Sequence, residues 1–491
     1  MAELFLNNTK MKELITGRVN EQEVLENLYK SHQSEFVVIY GRRRVGKTFL
    51  VRELFENRFA FYHTALSPFE MENGQAELLI KQQLMVFGNS LRDFGDYHDM
   101  PPKDWFQAFN WLKDLLSGMS KRKRLVVFID ELPWMDTPRS GFITAFEHFW
   151  NSWGAGKHNL LLIVCGSASS WINDKLINNT SGLYGRTTME IHLSPFSLSD
   201  CKNYFESRKI NIADYDILQA YMIMGGIPYY LSYIDKRKSL AQNIDNLFFN
   251  DKGKLSLEFN RLFKSLFVNP QQYVDILRLL SKRKAGYTRK EITESINKTS
   301  GGGLTSILQT LEACDFIKRY IPFGSSSRNT HYKLTDLFCL FYFHFVDSAV
   351  SSNSSFWQNN LRSPALNAWR GFAFEEVCFI HQNKIKQALG ISGVHSEVSM
   401  WRNNDSEDHT QIDMVIDRAD HVVNLCELKF YSDDLEIDKS YDKVLNHKVE
   451  VFLKKTKTKK APHLTIITTN GLRQNKYSGR VNNVVTMDML F

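Results

Sequence analysis

Proline is scarce in this chain, 11 of 491 residues, and no two of its six cysteines stand in a CxxC arrangement. Cys165, Cys201, Cys314, Cys339, Cys378 and Cys426 are scattered, mostly within apolar runs. That pattern suggests neither a disulfide framework nor a zinc site. Long hydrophobic runs are missing too. The longest, Leu337 to Val346, is too short to cross a bilayer and contains His344. The opening MAELFLNNTK has neither the basic start nor the apolar core of a signal peptide. Together these absences set the expectation of a cytoplasmic protein with reduced cysteines and no membrane partner.

What is present is ordinary in bulk and informative in detail. The length suits roughly three domains, and 43% hydrophobic with 23% charged residues is the balance of a globular protein. Phenylalanine is abundant, at 35 residues. The net charge of +7 is gathered in short runs at Arg42 to Arg44, Lys121 to Arg124, Lys282 to Lys284 and Lys454 to Lys460. Such runs permit contact with polyanions, although each taken alone reads as a solvated loop or helix face.

The first third carries the most specific pattern. The strand-length apolar run Phe36-Val37-Val38-Ile39-Tyr40 leads directly into Gly41-Arg42-Arg43-Arg44-Val45-Gly46-Lys47-Thr48, followed by Phe49 and a helix-forming segment. This is GxxxxGKT in the strand-to-helix context it requires. Gly41 and Gly46 let backbone N–H groups curl around phosphates, and the following helix adds its positive end. Lys47 then reaches the β and γ phosphates of ATP, and the Thr48 hydroxyl ligates Mg²⁺. A second apolar run, Leu125 to Ile129, ends in Asp130-Glu131. Asp130 is placed to hold Mg²⁺ and Glu131 to polarise the attacking water, which points to hydrolysis rather than binding alone. A third run, Leu160 to Val164, ends in Cys165-Gly166-Ser167, where Ser167 is a candidate sensor of the γ-phosphate. Arg186 precedes the last strand-like run and is a candidate arginine finger for a neighbouring subunit, with a structural ion pair as the alternative.

Ile15-Thr16-Gly17-Arg18 with Glu21 and Glu23, then YGRRRVGKT, VVFIDELPWM, the strand-end GS, LYGR and finally GGIPYYL at 225 to 231 occur in this order. Over about residues 10 to 235 the chain resembles the archaeal-type ATPase family of the P-loop class, related to the AAA+ and signal-transducing (STAND) ATPases. The resemblance implies a parallel sheet with an additional catalytic strand and a small helical lid. It also implies nucleotide contact by Pro228, the proline of the Gly226-Ile227-Pro228 motif.

Residues 271 to 335 read as three helices and a polar-tipped hairpin, the order of a winged helix. Thr288 with Glu291 is a capping box for the second helix. The third helix is a poor base reader: LTSILQTLEACD offers Thr305, Ser306, Gln309 and Thr310 but no Arg or Lys. Lys290, Lys298, Lys318, Arg319 and Arg328 are candidate phosphate contacts. A spacer that docks the ATPase on the last domain is the alternative.

From Trp369 onward the pattern is a partly buried helix carrying Glu375 and Glu376, then three strand-like runs, a lysine-rich amphipathic helix and two further strands. In NLCELKF, Glu427 and Lys429 stand two apart and so share one face of a strand, while Asp413 lies on the strand before. Neighbouring strands are about 5 Å apart, close enough for Asp413 and Glu427 to share one divalent ion. Lys429 is placed to orient water and Glu375 to complete the site; a plain surface ion pair remains the alternative. The last 127 or so residues resemble the PD-(D/E)XK phosphodiesterase superfamily through Asp413, Glu427, Lys429 and Glu375, with Ile412 where a proline sometimes precedes the aspartate.

The expectation is therefore an α/β protein: a P-loop ATPase core over 1–198, a helical lid over 199–265, a winged helix over 266–350 and a restriction-endonuclease-like domain over 351–491. Its expected cofactors are ATP and Mg²⁺. DNA is the expected partner, with RNA second, and homo-oligomers are expected if Arg186 acts between subunits. The rival function is an ATP-dependent switch or DNA-binding regulator whose last domain is a scaffold or protein-binding module.

Overall fold

The computed structural model describes residues 15–67, 76–178, 182–267, 269–296, 302–347, 354–403, 405 and 408–491. The chain forms two compact units, one of residues up to Pro195 with Asn260–Pro270, the other of Phe196–Phe259 with Gln271–Phe491.

In the first unit, strands β1 (Glu35–Tyr40), β2 (Phe59–Thr64), β3 (Leu125–Asp130), β4 (Leu160–Gly166) and β5 (Met189–His192) lie in the order β2-β3-β4-β1-β5. Every pair is parallel. β1, β3 and β4 are continuous apolar runs because the central strands of such a sheet are covered on both faces; Val37, Val38, Val127 and Ile163 are fully buried. The covering helices include α1 (Val19–Lys30), α2 (Lys47–Phe55), α3 (Ala76–Asp93), α4 (Trp105–Ser117) and α5 (Phe142–Ser152). α4 starts where the Asp104 carboxylate accepts the Gln107 N–H, a favourable N-cap. Much of the phenylalanine is spent here: Phe87 of α3 meets Trp105 and Phe109 of α4 edge-on at 5.6 and 5.7 Å, and Phe109 stacks with Phe149 of α5 at 5.3 Å.

His63 of β2 is sealed in this core with Nδ1 3.0 Å from the Ser90 hydroxyl. Burial pushes its pKa down to about 3 from 6.5. Between those values the unfolded chain binds a proton that the folded chain refuses, so stability falls as pH drops from 6.5 toward 3. At pH 5 the loss is about 2 kcal/mol. Urea unfolding at pH 7.5 and pH 5 should show that extra loss in the wild type and not in His63→Gln; equal pH dependence would refute it.

The second unit begins with helices α6 (Leu198–Ser207) and α7 (Asp214–Met224). After further helical segments come α8 (Pro270–Leu280), α9 (Arg289–Ile296) and α10 (Gly302–Ala313), with a three-stranded antiparallel sheet of β6 (Tyr287–Thr288), β7 (Ile317–Tyr320) and β8 (His331–Leu334), ordered β6-β8-β7. α9 starts at a capping box: Glu291 N–H donates to Thr288 Oγ1 at 3.3 Å, and the Glu291 carboxylate accepts the Thr288 N–H at 2.7 Å. Lys298 lies outside the described residues.

The chain ends in α11 (Pro364–Ile380), β9 (Ser396–Asn403), β10 (Thr410–Arg418), β11 (Val422–Lys429), α12 (Lys439–Thr456), β12 (Ala461–Thr468) and β13 (Asn483–Thr486). The sheet order is β13-β12-β11-β10-β9. β9, β10 and β11 run antiparallel, and β11, β12 and β13 parallel. Trp401, Ile412, Val415, Leu425 and Phe452 are core residues here, and Phe323 from the β7–β8 loop packs against them. Among the described residues no helix is long and apolar enough to cross a membrane.

Candidate functional site

The loop between β1 and α2 is built around its glycines. Gly41 has φ +139°, and a Cβ there would stand 2.4 Å from the Leu193 carbonyl oxygen, so no side chain fits. Gly46 has φ +97° and faces open space, as a cradle for a bound group should. Arg44 also takes a left-handed conformation, at φ 75°. The buried Lys47 ammonium donates to the carbonyls of Gly41 at 3.0 Å and Arg42 at 3.1 Å, so the loop closes on its own lysine. Arg18 Nη2 donates to Val45 O at 3.4 Å and ties the N-terminal motif to the loop. Arg42 and Val45 are buried, Arg43 lies over the Trp134 ring at 5.6 Å, and Phe49 is exposed.

β3 delivers the acidic pair. Thr48 Oγ1 donates to Asp130 Oδ2 at 2.8 Å, which brings together the two groups that could hold a divalent cation. Burial, then the Glu131 charge, pushes the Asp130 carboxyl above its usual range. Glu131 adopts φ 51°, a conformation uncommon outside glycine and found at functional sites. Its carboxylate accepts the Ser167 N–H at 3.0 Å and the Ser167 hydroxyl at 2.9 Å. Ser167 therefore restrains the candidate base directly, a contact that the reading of it as a phosphate sensor did not include. Sequence reasoning also missed Cys165, whose buried thiol donates to Asp130 Oδ1 at 2.6 Å. Its only signal was its place at the end of β4, next to β3.

Arg186 is exposed in a turn after Gly185, with its N–H donating to Leu183 O. Pro228 belongs to the second unit and opens the short helix Pro228–Leu231 behind Gly226, whose Cβ would strike the Phe196 carbonyl oxygen at 2.3 Å.

The second cluster sits on the C-terminal sheet. The β10–β11 register pairs Met414 with Cys426, and Asp413 and Glu427 are the next residues along the two strands. Asp413 Oδ2 accepts the Leu428 N–H at 3.1 Å. Burial, then the charges of Glu427 and Glu375, raises the Asp413 carboxyl to about 6. Glu427 is held differently. Burial pushes its carboxyl up, but Lys448 and Lys429 outweigh it and keep Glu427 below its usual range. Lys429 Nζ lies 2.8 Å from Oε1, Lys448 Nζ lies 2.6 Å from Oε2, and the Tyr441 hydroxyl donates to Oε1 at 3.3 Å. The same-face pairing of Glu427 with Lys429 is thus an ion pair with a second ammonium added. Lys448, from α12, was missed. Its signal was a lysine three residues after the buried Leu445 and three before the buried Val451.

Glu375 does not join this cluster through a direct contact; its Oε1 accepts from Lys284 at 2.7 Å. Among the described residues no group of three or more His, Cys, Asp or Glu side chains is arranged to hold a metal ion. A cation here would rest on Asp413 and Glu427, and the elevated Asp413 carboxyl is what a nearby cation would relieve.

A five-stranded parallel sheet, a glycine loop closed on a buried lysine and a Thr–Asp pair beside a strained glutamate define a P-loop nucleoside-triphosphate hydrolase. Residues 16–234 match the family described as ATPase domains predominantly from Archaea, and the protein is an ATPase. An uncharacterized protein of Methanocaldococcus jannaschii is 26% identical over 400 residues, covering 76% of this chain and 79% of that protein. An uncharacterized ATP-binding protein of the same organism is 38% identical over 45 residues, 9% of this chain and 76% of that one. Among solved structures, the Walker-type ATPase of Pyrococcus abyssi is similar at 21% identity and a TM-score of 0.45, covering 67% of this chain and 96% of that one. The ORC2 protein of Aeropyrum pernix is similar at 15% identity and a TM-score of 0.38, covering 68% and 94%.

Proposed function

We propose that the ATPase domain controls a Mg²⁺-dependent phosphodiesterase centre at Asp413, Glu427 and Lys429 that acts on DNA, with α8–α10 and the β6–β8 sheet serving as a winged helix and the C-terminal sheet as a PD-(D/E)XK-type domain. The observation that carries this reading is the buried pair Asp413 and Glu427 on adjacent strands with two lysines aimed at Glu427. One buried carboxyl raised to about 6 stands beside another held low, and carboxyls driven apart in this way are candidates for proton and metal chemistry.

Asp413 and Glu427 would hold the cation, which lowers the pKa of bound water and offsets phosphodiester charge. Lys429, released from Glu427, would orient the attacking water, and Lys448 would keep Glu427 ionised. At the ATP site, Thr48 and Asp130 would hold Mg²⁺ and Glu131, freed from Ser167, would polarise water. Exposed Arg186 suits action on a neighbouring subunit.

A second reading has its own observation. Both oxygens of Glu427 are taken by ammonium groups and Glu375 is taken by Lys284, which suits a DNA-binding regulator with a non-catalytic scaffold. Incubating supercoiled plasmid with the protein, ATP and Mg²⁺ separates the two. The nuclease reading expects nicking that EDTA abolishes and Lys429→Ala reduces about tenfold or more. Intact plasmid, or equal cleavage by Lys429→Ala, would leave the regulator.

A further inference from the structure

The helix that a winged helix would ordinarily present to DNA is α10, and its exposed positions include Ser306 and Gln309, with no cation in Gly302–Ala313. The positive charge is displaced to another surface. A groove of about 1660 Å³ is walled by α9, the β7–β8 loop and the N-terminal half of β9. Arg289, Lys290, Arg319 and Arg328 all line it and all are exposed. Lys290 and Arg319 have carboxylate partners in Glu294 at 3.9 Å and Glu312 at 3.2 Å. Arg289, on α9, and Arg328, on the β7–β8 loop, have none among the described residues. Of the three acids in the groove, Glu294 faces Lys290 and Asp417 pairs with Lys460 at 2.5 Å, while Glu397 is exposed on β9.

The β7–β8 loop is a fixed wall. Phe323 N–H donates to Met400 O at 2.9 Å, and its ring lies 5.3 Å from that of Phe452 in the C-terminal core. A loop anchored in that way cannot leave to probe a groove of DNA, but it holds Arg328 across from α9 before any ligand arrives, which lowers the ordering cost of binding. The groove also leads somewhere. A second chamber of about 270 Å³ shares Tyr320, Pro322, Ser325 and Asn329 with it and reaches Glu375 and Gln411. The Gln411 amide lies 3.5 Å from Asp413 Oδ1.

Building on the reading that the second unit acts on DNA, we propose that this groove, and not α10, holds the DNA backbone, with Arg289 and Arg328 as its phosphate contacts and the shared chamber directing the strand toward Asp413. Such contacts set affinity and position without reading sequence.

The test is fluorescence anisotropy of short labelled DNA, duplex and single-stranded, titrated with the full chain in EDTA over a series of KCl concentrations. Each phosphate neutralised contributes about 0.9 to the slope of log K against log salt on duplex DNA, so Arg289→Ala/Arg328→Ala should flatten that slope by about 1.8 and weaken binding about tenfold or more. Ser306→Ala/Gln309→Ala in α10 should change affinity less than about twofold. If the wild type binds and the arginine variant keeps its slope and affinity, the groove is wrong while the DNA reading stands. The same holds if the α10 variant is the weaker one. A wild type that binds neither DNA removes the DNA reading itself. Circular dichroism matching the wild type shows that both exposed pairs can be replaced without unfolding.

Discussion

Lys47→Ala should abolish tight ATP binding, weakening it by at least about a hundredfold, because hydrogen bonds to charged groups contribute roughly 1.5–3 kcal/mol each and 1.4 kcal/mol is a factor of ten. The structure gives the reason for placing the largest loss here. Lys47 is buried and, among the described residues, its ammonium donates to the carbonyls of Gly41 and Arg42, which curl over it. Phosphate oxygens entering the open face of Gly46 would meet that ammonium. Removing it leaves two carbonyls without their donor as well as a phosphate without its counter-charge. Glu131→Gln separates binding from chemistry. Its amide retains the size of the side chain but cannot serve as a base, so affinity should persist while turnover falls by about 10²–10⁴. Calorimetry gives the first quantity and phosphate release the second. Unchanged affinity in Lys47→Ala would overturn the assignment of the loop as the ATP site.

The ATP loop was legible because its determinants are contiguous. β1 announces itself as an apolar run, and the glycines at 41 and 46 stand where the backbone takes φ of +139° and +97°. The partners of the acidic pair were not legible. Cys165 reaches Asp130 across 35 residues and Ser167 reaches Glu131 across 36, through a β3–β4 pairing that no local pattern encodes. In the C-terminal sheet, the shared face of Glu427 and Lys429 follows from strand periodicity alone. Lys448 and Lys284 could not be read in that way, because what brings them to Glu427 and Glu375 is packing of α12 on the sheet and of the α8–α9 connection on α11. The order of motifs suggested segments over 1–198, 199–265, 266–350 and 351–491. By compactness, everything from Phe196 onward, apart from Asn260–Pro270, lies in one unit. One cause is visible at His381 of the C-terminal segment, whose Nε2 accepts the Leu198 N–H at 3.1 Å.

Glu376→Ala should destabilise the second unit by about 3–5 kcal/mol, the usual cost of stranding one member of a buried ion pair. Glu376 and Lys333 pair with side chains only 1% and 6% exposed. Burial raises the Glu376 carboxyl, and the nearby Lys333 ammonium opposes that rise. The ammonium lies 4.7 Å from the Phe379 ring centre and 3.8 Å from Met400 Sδ, neither of which replaces a carboxylate. Replacing both partners with apolar residues, Lys333→Met with Glu376→Leu, should recover most of the loss, because desolvation of the pair consumes much of its Coulomb attraction. Urea unfolding of the two single variants and the double variant measures the coupling. Additive losses in the double variant would mean that the two groups do not act as a pair. The position of the pair gives the result a functional consequence. Lys333 lies on β8, and Glu376 adjoins Glu375 on α11, which Lys284 holds at 2.7 Å. The buried pair therefore fixes the three-stranded sheet against the helix that presents Glu375. The double variant should keep the fold while loosening that registration.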